Sequence, residues 1–187
     1  MLNTERNKRN PAVFLDRDGT IIEDCGYLSH PSQVTFFADT ISSLRGLAVY
    51  FDLFMVTNQS GIAKGTISMQ DVEEVNSYIS SCLSAQGIPL RAIYVCPHER
   101  ESGCRCIKPN PYFLKKAECE FGVDLARSFA VGDHPHDVEF AESVGATGIY
   151  VLSGHGRKHK DEIAEGTEVA AGIGEAAECI LKRVGDA

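Results

Sequence analysis

Short apolar runs rich in β-branched and aromatic residues recur along the chain at Ala12–Leu15, Leu53–Val56, Ala92–Val95, Phe129–Val131 and Ile149–Leu152. Continuous runs of this length, without polar alternation, suit strands covered on both faces. The stretches between them carry helical spacing. Ser68 is a candidate N-cap with Asp71 three residues on, after which Val72, Val75, Ile79 and Cys82/Leu83 share one face until Gly87 and Pro89. A second helix is predicted with Asn110 as cap and Pro111 at its first position, burying Leu114, Ala117 and Phe121 before stopping at Gly122. A third runs from about Pro135 to Gly145, and a short one around Glu175–Val184 follows a stretch rich in Gly, His and basic residues that begins at Gly154. Strands alternating with helices predict an α/β fold, a Rossmann-like parallel sheet with helices on both faces.

Composition sets the scale. With 187 residues, 43% hydrophobic and 24% charged, the chain has the balance of one globular domain spanning residues 1–187. A net charge of −8 excludes a broad nucleic-acid face, which needs clustered Lys and Arg. The polar start from Met1 to Asn10 lacks the apolar core of a signal peptide, and no later run is long enough to span a bilayer. A cytoplasmic monomer without membrane partners is therefore expected. Seven cysteines in such a chain favour reduced thiols or metal ligands over a disulfide framework.

The chemistry gathers where strands end. The first run closes on Asp16-Arg17-Asp18-Gly19-Thr20, and carboxylates two apart on extended backbone point the same way. Carboxyl ends of parallel strands form the ligand crevice of such sheets. Two neighbouring carboxylates repel unless a cation neutralises them or one holds a proton. Mg²⁺ with a phosphate ester supplies the first remedy, and a proton on Asp18 supplies what a leaving alkoxide needs. A plain turn with Asp18-Gly19 at its corner is the competing reading. Thr57-Asn58-Gln59-Ser60-Gly61 follows the second run and offers a hydroxyl, amides and small-residue backbone to phosphate oxygens. Lys108, before Pro109 and Pro111, is a fixed positive charge. Asp133, in Gly132-Asp133-His134-Pro135-His136-Asp137, sits where a strand-end acid would complete a cation's oxygen shell, or would simply cap a helix.

Between the third run and Lys108, Cys96, His98, Cys104 and Cys106 fall within eleven residues around Pro97 and Gly103. Three thiols and an imidazole form a closed tetrahedral Zn²⁺ set, so the metal is expected to be structural and to supply folding energy to a loop without a core. Buried cysteines clustered by chance are the alternative. Cys106 lies two residues before Lys108, which places the zinc beside it. Cys25, Cys82, Cys119 and Cys179 are left as core or surface thiols.

Asp16-Arg17-Asp18-Gly19-Thr20, Thr57-Asn58-Gln59-Ser60-Gly61, Lys108-Pro109 and Gly132-Asp133 with Asp137, in that order over residues 12–153, resemble the haloacid dehalogenase superfamily of phosphatases. The resemblance implies that Asp16 is the nucleophile and an Mg²⁺ ligand. Asp18 would be the general acid that later activates water, with its backbone carbonyl on the metal. Thr57 and Lys108 would bind the phosphoryl group, and Asp133 the metal. The zinc loop is similar to that of the branch holding heptose-bisphosphate and histidinol-phosphate phosphatases. Asp24-Cys25-Gly26-Tyr27 and Asn58-Gln59-Ser60-Gly61-Ile62-Ala63-Lys64-Gly65 resemble the heptose side, which puts Gly26, Tyr27, Asn58, Gln59 and Ser60 beside a small phosphorylated substrate, a sugar bisphosphate. The five-residue gap from His98 to Cys104 is more like the histidinol-phosphate type. Ile107 stands where these groups commonly have Arg, and His134 where the heptose enzymes tend to have Lys. Arg157, Lys158 and Lys160, with His155 and His159, would replace that charge or form a solvated face. About forty residues between Asp18 and Thr57 leave no room for a separate cap domain, so an open pocket is expected. A receiver-like phosphate-binding module is the competing class, which Asp18 argues against because a pure acceptor needs no second acid.

Overall fold

The computed structural model describes residues 10–185. Strands β1 (Ala12–Leu15), β2 (Asp52–Asn58), β3 (Leu90–Cys96), β4 (Phe129–Gly132), β5 (Thr147–Val151) and β6 (Glu168–Ala170) form one sheet in the order β3-β2-β1-β4-β5-β6. All five pairings are parallel. The helices are α1 (Thr40–Leu47), α2 (Met69–Ala85), α3 (Tyr112–Phe121), α4 (Pro135–Glu142) and α5 (Ile173–Gly185).

Side-chain alternation along the strands splits the core into two layers. Val13, Leu15, Leu53, Met55, Phe129 and Val131 face one side with Leu44 and Leu47 of α1, Val75 and Ile79 of α2, and Ile173 and Ile180 of α5. Ala12, Phe14, Phe54, Val56 and Ala130 face the other, with Phe113 and Leu114 of α3 and Phe140 and Ala141 of α4. On that side Phe14, Phe54, Tyr94 and Phe113 stack in series at 5.0, 6.1 and 4.9 Å. The predicted Rossmann-like architecture with helices on both faces is present. Among the described residues no helix is long and apolar enough to cross a membrane.

Local chemistry accounts for most boundaries. Ser68 caps α2 as predicted, its hydroxyl accepting from Asp71 N (3.1 Å) while Asp71 accepts from Ser68 N (2.7 Å). The next helix departs from expectation. Pro111, not Asn110, occupies the cap position of α3 and makes no side-chain bond. Asn110 Nδ2 instead donates to Cys104 O (3.2 Å), so the amide serves the cysteine loop. Phe121 is half-buried, edge-on to Phe54 at 5.3 Å. The third predicted helix, α4, ends at Glu142 and continues only as a turn through Gly145, which has φ +78°. α1 and β6 carried no clear signal, since α1 mixes serines and Gly46 into eight residues and β6 is a three-residue edge strand.

Candidate active site

The sheet changes direction of growth at β1, with β2 and β3 to one side and β4, β5 and β6 to the other. Such a switch point leaves a crevice beyond the carboxyl ends of the central strands. Asp16 N donates to Val131 O (2.9 Å), which fixes the acid at the last rung between β1 and β4. Thr57 and Asn58 close β2, and Asp133 follows β4 directly.

Lys108 enters from outside the sheet and is buried. Its Nζ lies 2.5 Å from Asp16 Oδ1, 2.5 Å from Asp137 Oδ1 and 3.1 Å from Val56 O, so all three ammonium protons have acceptors. Burial would lower its pKa, but Asp137 and Asp16 outweigh that and hold the lysine well above its ordinary value. Asp16 is raised to about 6 by burial, against the pull of Lys108. Burial, with Asp16 nearby, raises Asp133 to about 8, against the His155 N–H that it accepts at 2.7 Å. Two carboxylates thus contact one ammonium, and a third, Asp133, stands close enough to Asp16 to feel its charge. The excess negative charge fits a hard divalent cation held by oxygen ligands, with Asp16 and Asp133 as the side chains able to bind it.

Asp18 is held from two directions. Arg17 Nε approaches both carboxylate oxygens (3.2 and 3.0 Å), and Gln59 Nε2 donates to Oδ2 (2.8 Å). Burial raises the Asp18 pKa and Arg17 opposes it. Gln59 Nε2 also donates to Thr57 Oγ1 (2.7 Å), so Gln59 couples the acid to the hydroxyl. Asn58 Oδ1 accepts from Lys108 N (3.3 Å) and thereby holds the lysine backbone. Gly26, Tyr27, Asn58, Gln59 and Ser60 line one cleft of about 420 Å³ with Asp18, Asp24 and His155. The sequence-predicted loops therefore do converge. Tyr27 packs so close to Gly61 that a Cβ there would meet its ring at 2.5 Å, and its hydroxyl accepts from Lys64 Nζ (3.1 Å).

Several residues take places in the site that their local sequence does not announce. Arg17 lies between the two acids in the chain, and its guanidinium is turned onto Asp18. His155 belongs to the Gly, His and basic stretch whose composition suggests a solvated face, yet its backbone N–H donates to Asp133 and its Nδ1 lies 3.4 Å from Asp24 Oδ2. His134 takes the capping role: Nδ1 accepts from His136 N (3.3 Å), and its own N donates to Asp137 Oδ2 (3.1 Å). Burial lowers its pKa to about 4, so the ring is neutral. Ile107 is buried and borders an adjoining cleft of about 270 Å³ with Lys64 and Arg100.

The cysteine loop gathers its four ligand atoms within 4.8 Å of one another. Sγ of Cys96 lies 3.6 Å from Cys104, 3.2 Å from Cys106 and 3.7 Å from His98 Nδ1, and His98 Nδ1 lies 3.3 Å from Cys106. Metal–sulfur bonds of about 2.3 Å put tetrahedral ligand atoms roughly 3.5–3.8 Å apart, so the set fits a zinc-sized ion. Burial pushes the Cys104 thiol up, but the backbone N–H groups of Cys106 and Ile107 outweigh it and bring it down to about 6. Arg100 reaches from this loop to both ring nitrogens of His136 (2.6 and 3.0 Å), and His136 stacks on His134 at 4.3 Å.

Two glycines enclose Asp133. A Cβ on Gly19 or on Gly154 would each meet Asp133 Oδ2 at 2.2 Å, and both residues have positive φ. Gly154→Ala is expected to displace the carboxylate and weaken divalent-cation binding about tenfold or more, as measured by calorimetric titration.

Comparison with known proteins places this site. The family described as HAD-hydrolase-like matches residues 105–176. D-glycero-beta-D-manno-heptose-1,7-bisphosphate 7-phosphatase of Yersinia pestis is 35% identical over 170 residues, covering 86% of this chain and 87% of that protein. Its namesake from Escherichia coli K12 is 35% identical over 79% of this chain and 82% of its own length. The crystal structure of D,D-heptose 1,7-bisphosphate phosphatase from B. bronchiseptica, complexed with magnesium and phosphate, superposes with a TM-score of 0.84 at 29% identity, covering 92% of this chain and 99% of that one. With its acids, lysine and cysteine loop arrayed at the switch point of a parallel sheet, and with these relatives, the chain belongs to the haloacid dehalogenase superfamily and is a phosphatase of the same branch.

Proposed function

We propose that the chain is a magnesium-dependent D-glycero-D-manno-heptose 1,7-bisphosphate 7-phosphatase that works through a phosphorylated Asp16. The observation that carries this is the joining of two features: the Asp16–Lys108–Asp137 charge cluster, and a cleft beside Asp18 walled by Asp24, Tyr27, Asn58, Ser60 and His155. Such a wall suits a polyhydroxylated substrate, because carboxylate, amide, hydroxyl and imidazole groups can each bond a sugar hydroxyl.

With a pKa near 6, Asp16 is ionised at neutral pH and its carboxylate attacks phosphorus in line with the leaving oxygen. Asp18 gives its proton to that oxygen, then as carboxylate takes a proton from the water that hydrolyses the aspartyl-phosphate. Lys108 meets a phosphoryl oxygen by exchanging its contact with Asp16 Oδ1, while Asp137 and Val56 O keep it in place. Thr57, oriented by Gln59, is the second donor to that group, and Asn58 with Ser60 bonds the substrate beyond it. Asp16, Asp133 and the Asp18 backbone carbonyl would hold Mg²⁺, which when bound would offset the negative charge of the acids and the incoming ester. Cys96, His98, Cys104 and Cys106 would hold a structural zinc, their ligand atoms lying within 4.8 Å of one another. Under the same proposal the described residues 10–185 form one domain, which acts as a monomer in the cytoplasm.

Among heptose 1,7-bisphosphate, histidinol phosphate and an aryl phosphate, kcat/KM is expected to be highest for the heptose bisphosphate. A preference for histidinol phosphate would reassign the substrate and leave the chemistry standing. Asp16→Asn should lower kcat about 10³-fold or more with an unchanged circular dichroism spectrum, and appreciable remaining turnover would refute the nucleophile. Elemental analysis should find about one zinc per chain, and its chelation should lower the melting temperature. A zinc-free preparation of full stability would remove that assignment.

A further inference from the structure

We infer that Asn76, in the middle of α2, is a positioning residue that acts on Asp18 through Arg17. This rests on the assignment of Asp18 as the proton donor. Arg17 is fully buried although it is the longest cationic side chain type, and its guanidinium divides its edges between two partners. Nη1 donates to Asn76 Oδ1 at 2.9 Å. Nε approaches Asp18 Oδ1 and Oδ2, and Nη2 lies 2.9 Å from Oδ2 as an ion contact outside hydrogen-bond geometry. A planar guanidinium has no freedom to turn one edge without the other. Fixing Nη1 at Asn76 therefore aims the Nε/Nη2 edge at Asp18.

Asn76 sits in a place that packing alone would fill differently. It is 5% exposed, on the helix face that buries Val72, Val75, Ile79 and Leu83. Asparagine is a poor helix-interior residue, and a buried amide costs stability unless it is bonded. The Arg17 bond satisfies the amide oxygen. From the cleft side, Gln59 Nε2 holds the same Asp18 oxygen that Arg17 contacts. Oδ2 is thus restrained from both sides, which sets the plane of the carboxyl group and the direction in which its proton is offered. Without the Asn76 carbonyl, a buried guanidinium N–H loses its acceptor and the fork has to reorient, taking Asp18 with it.

Proton donation matters in proportion to the basicity of the leaving group, which gives a measurement that a merely structural residue does not move. Asn76→Leu is expected to lower kcat/KM for an alkyl phosphate about tenfold or more relative to kcat/KM for p-nitrophenyl phosphate, whose leaving group departs without a proton, because kcat/KM reports the phosphorylation of Asp16 and not the later water attack that both substrates share. Asn76→Asp, which keeps the acceptor oxygen, should restore most of the alkyl-to-aryl ratio. In an Asp18→Asn background, Asn76→Leu should change that ratio no further. An equal fall for both substrates would overturn the inference, and Asn76→Ser, too short to reach Arg17, serves if the leucine variant does not fold. Asp18→Asn alone separates the two assignments. If it leaves the ratio unchanged, the proton-donor role fails; if it collapses the ratio while Asn76→Leu does not, only the role of Asn76 fails.

Discussion

A buried ammonium held between two carboxylates, with a third carboxylate beside them, is the constraint on which the rest of the structure depends. Asp16 arrives on β1, Asp133 and Asp137 on the segment after β4, and Lys108 on the segment after the cysteine loop. Burial, reinforced by the neighbouring carboxylates and opposed by Lys108, pushes Asp16 up to about 6 and Asp133 up to about 8. An arrangement of this kind persists only where rigid elements over-determine it. The switch point of the sheet provides that rigidity, because β1 is paired on both sides and Asp16 is held at its final rung.

The periphery restrains the same few groups again. Asn58 holds the lysine backbone, and Asn110 ties the following turn to Cys104. Arg100 joins the cysteine loop to His136, which neighbours Asp137 on α4. Lys108 and its carboxylate partner are therefore both connected to the loop that gathers three thiols and an imidazole. The zinc-sized site and the charge cluster are coupled through covalent neighbours and two hydrogen-bonded links, without sharing a ligand.

Local patterns in the sequence carried much of this. Five strands announced themselves as apolar runs, α2 by its reciprocal cap, and the cysteine loop by the density of thiols around Pro and Gly. The strand-end acids were legible because position on a parallel strand dictates where a side chain points. What escaped is what only tertiary contact creates. Arg17 and Asn76 are 59 residues apart, and neither is unusual in its own neighbourhood. His155 lies in a stretch whose composition suggests solvent, yet its backbone N–H is spent on Asp133. The cap of α3 went to Pro111 because Asn110 found a partner across the loop.

The split of the strands into two faces has a consequence beyond packing. Phe14 and Asp16 share the parity of β1, so the stacked aromatics and the carboxylate paired with Lys108 depend on one and the same alignment of that strand with β2 and β4. A slip by a single residue would send phenyl rings into the aliphatic layer and turn the acid away from its lysine. Correct assembly of the oily interior therefore acts as a proofreading step for the chemistry, and a misaligned strand that kept its fold while losing its function is not an available outcome.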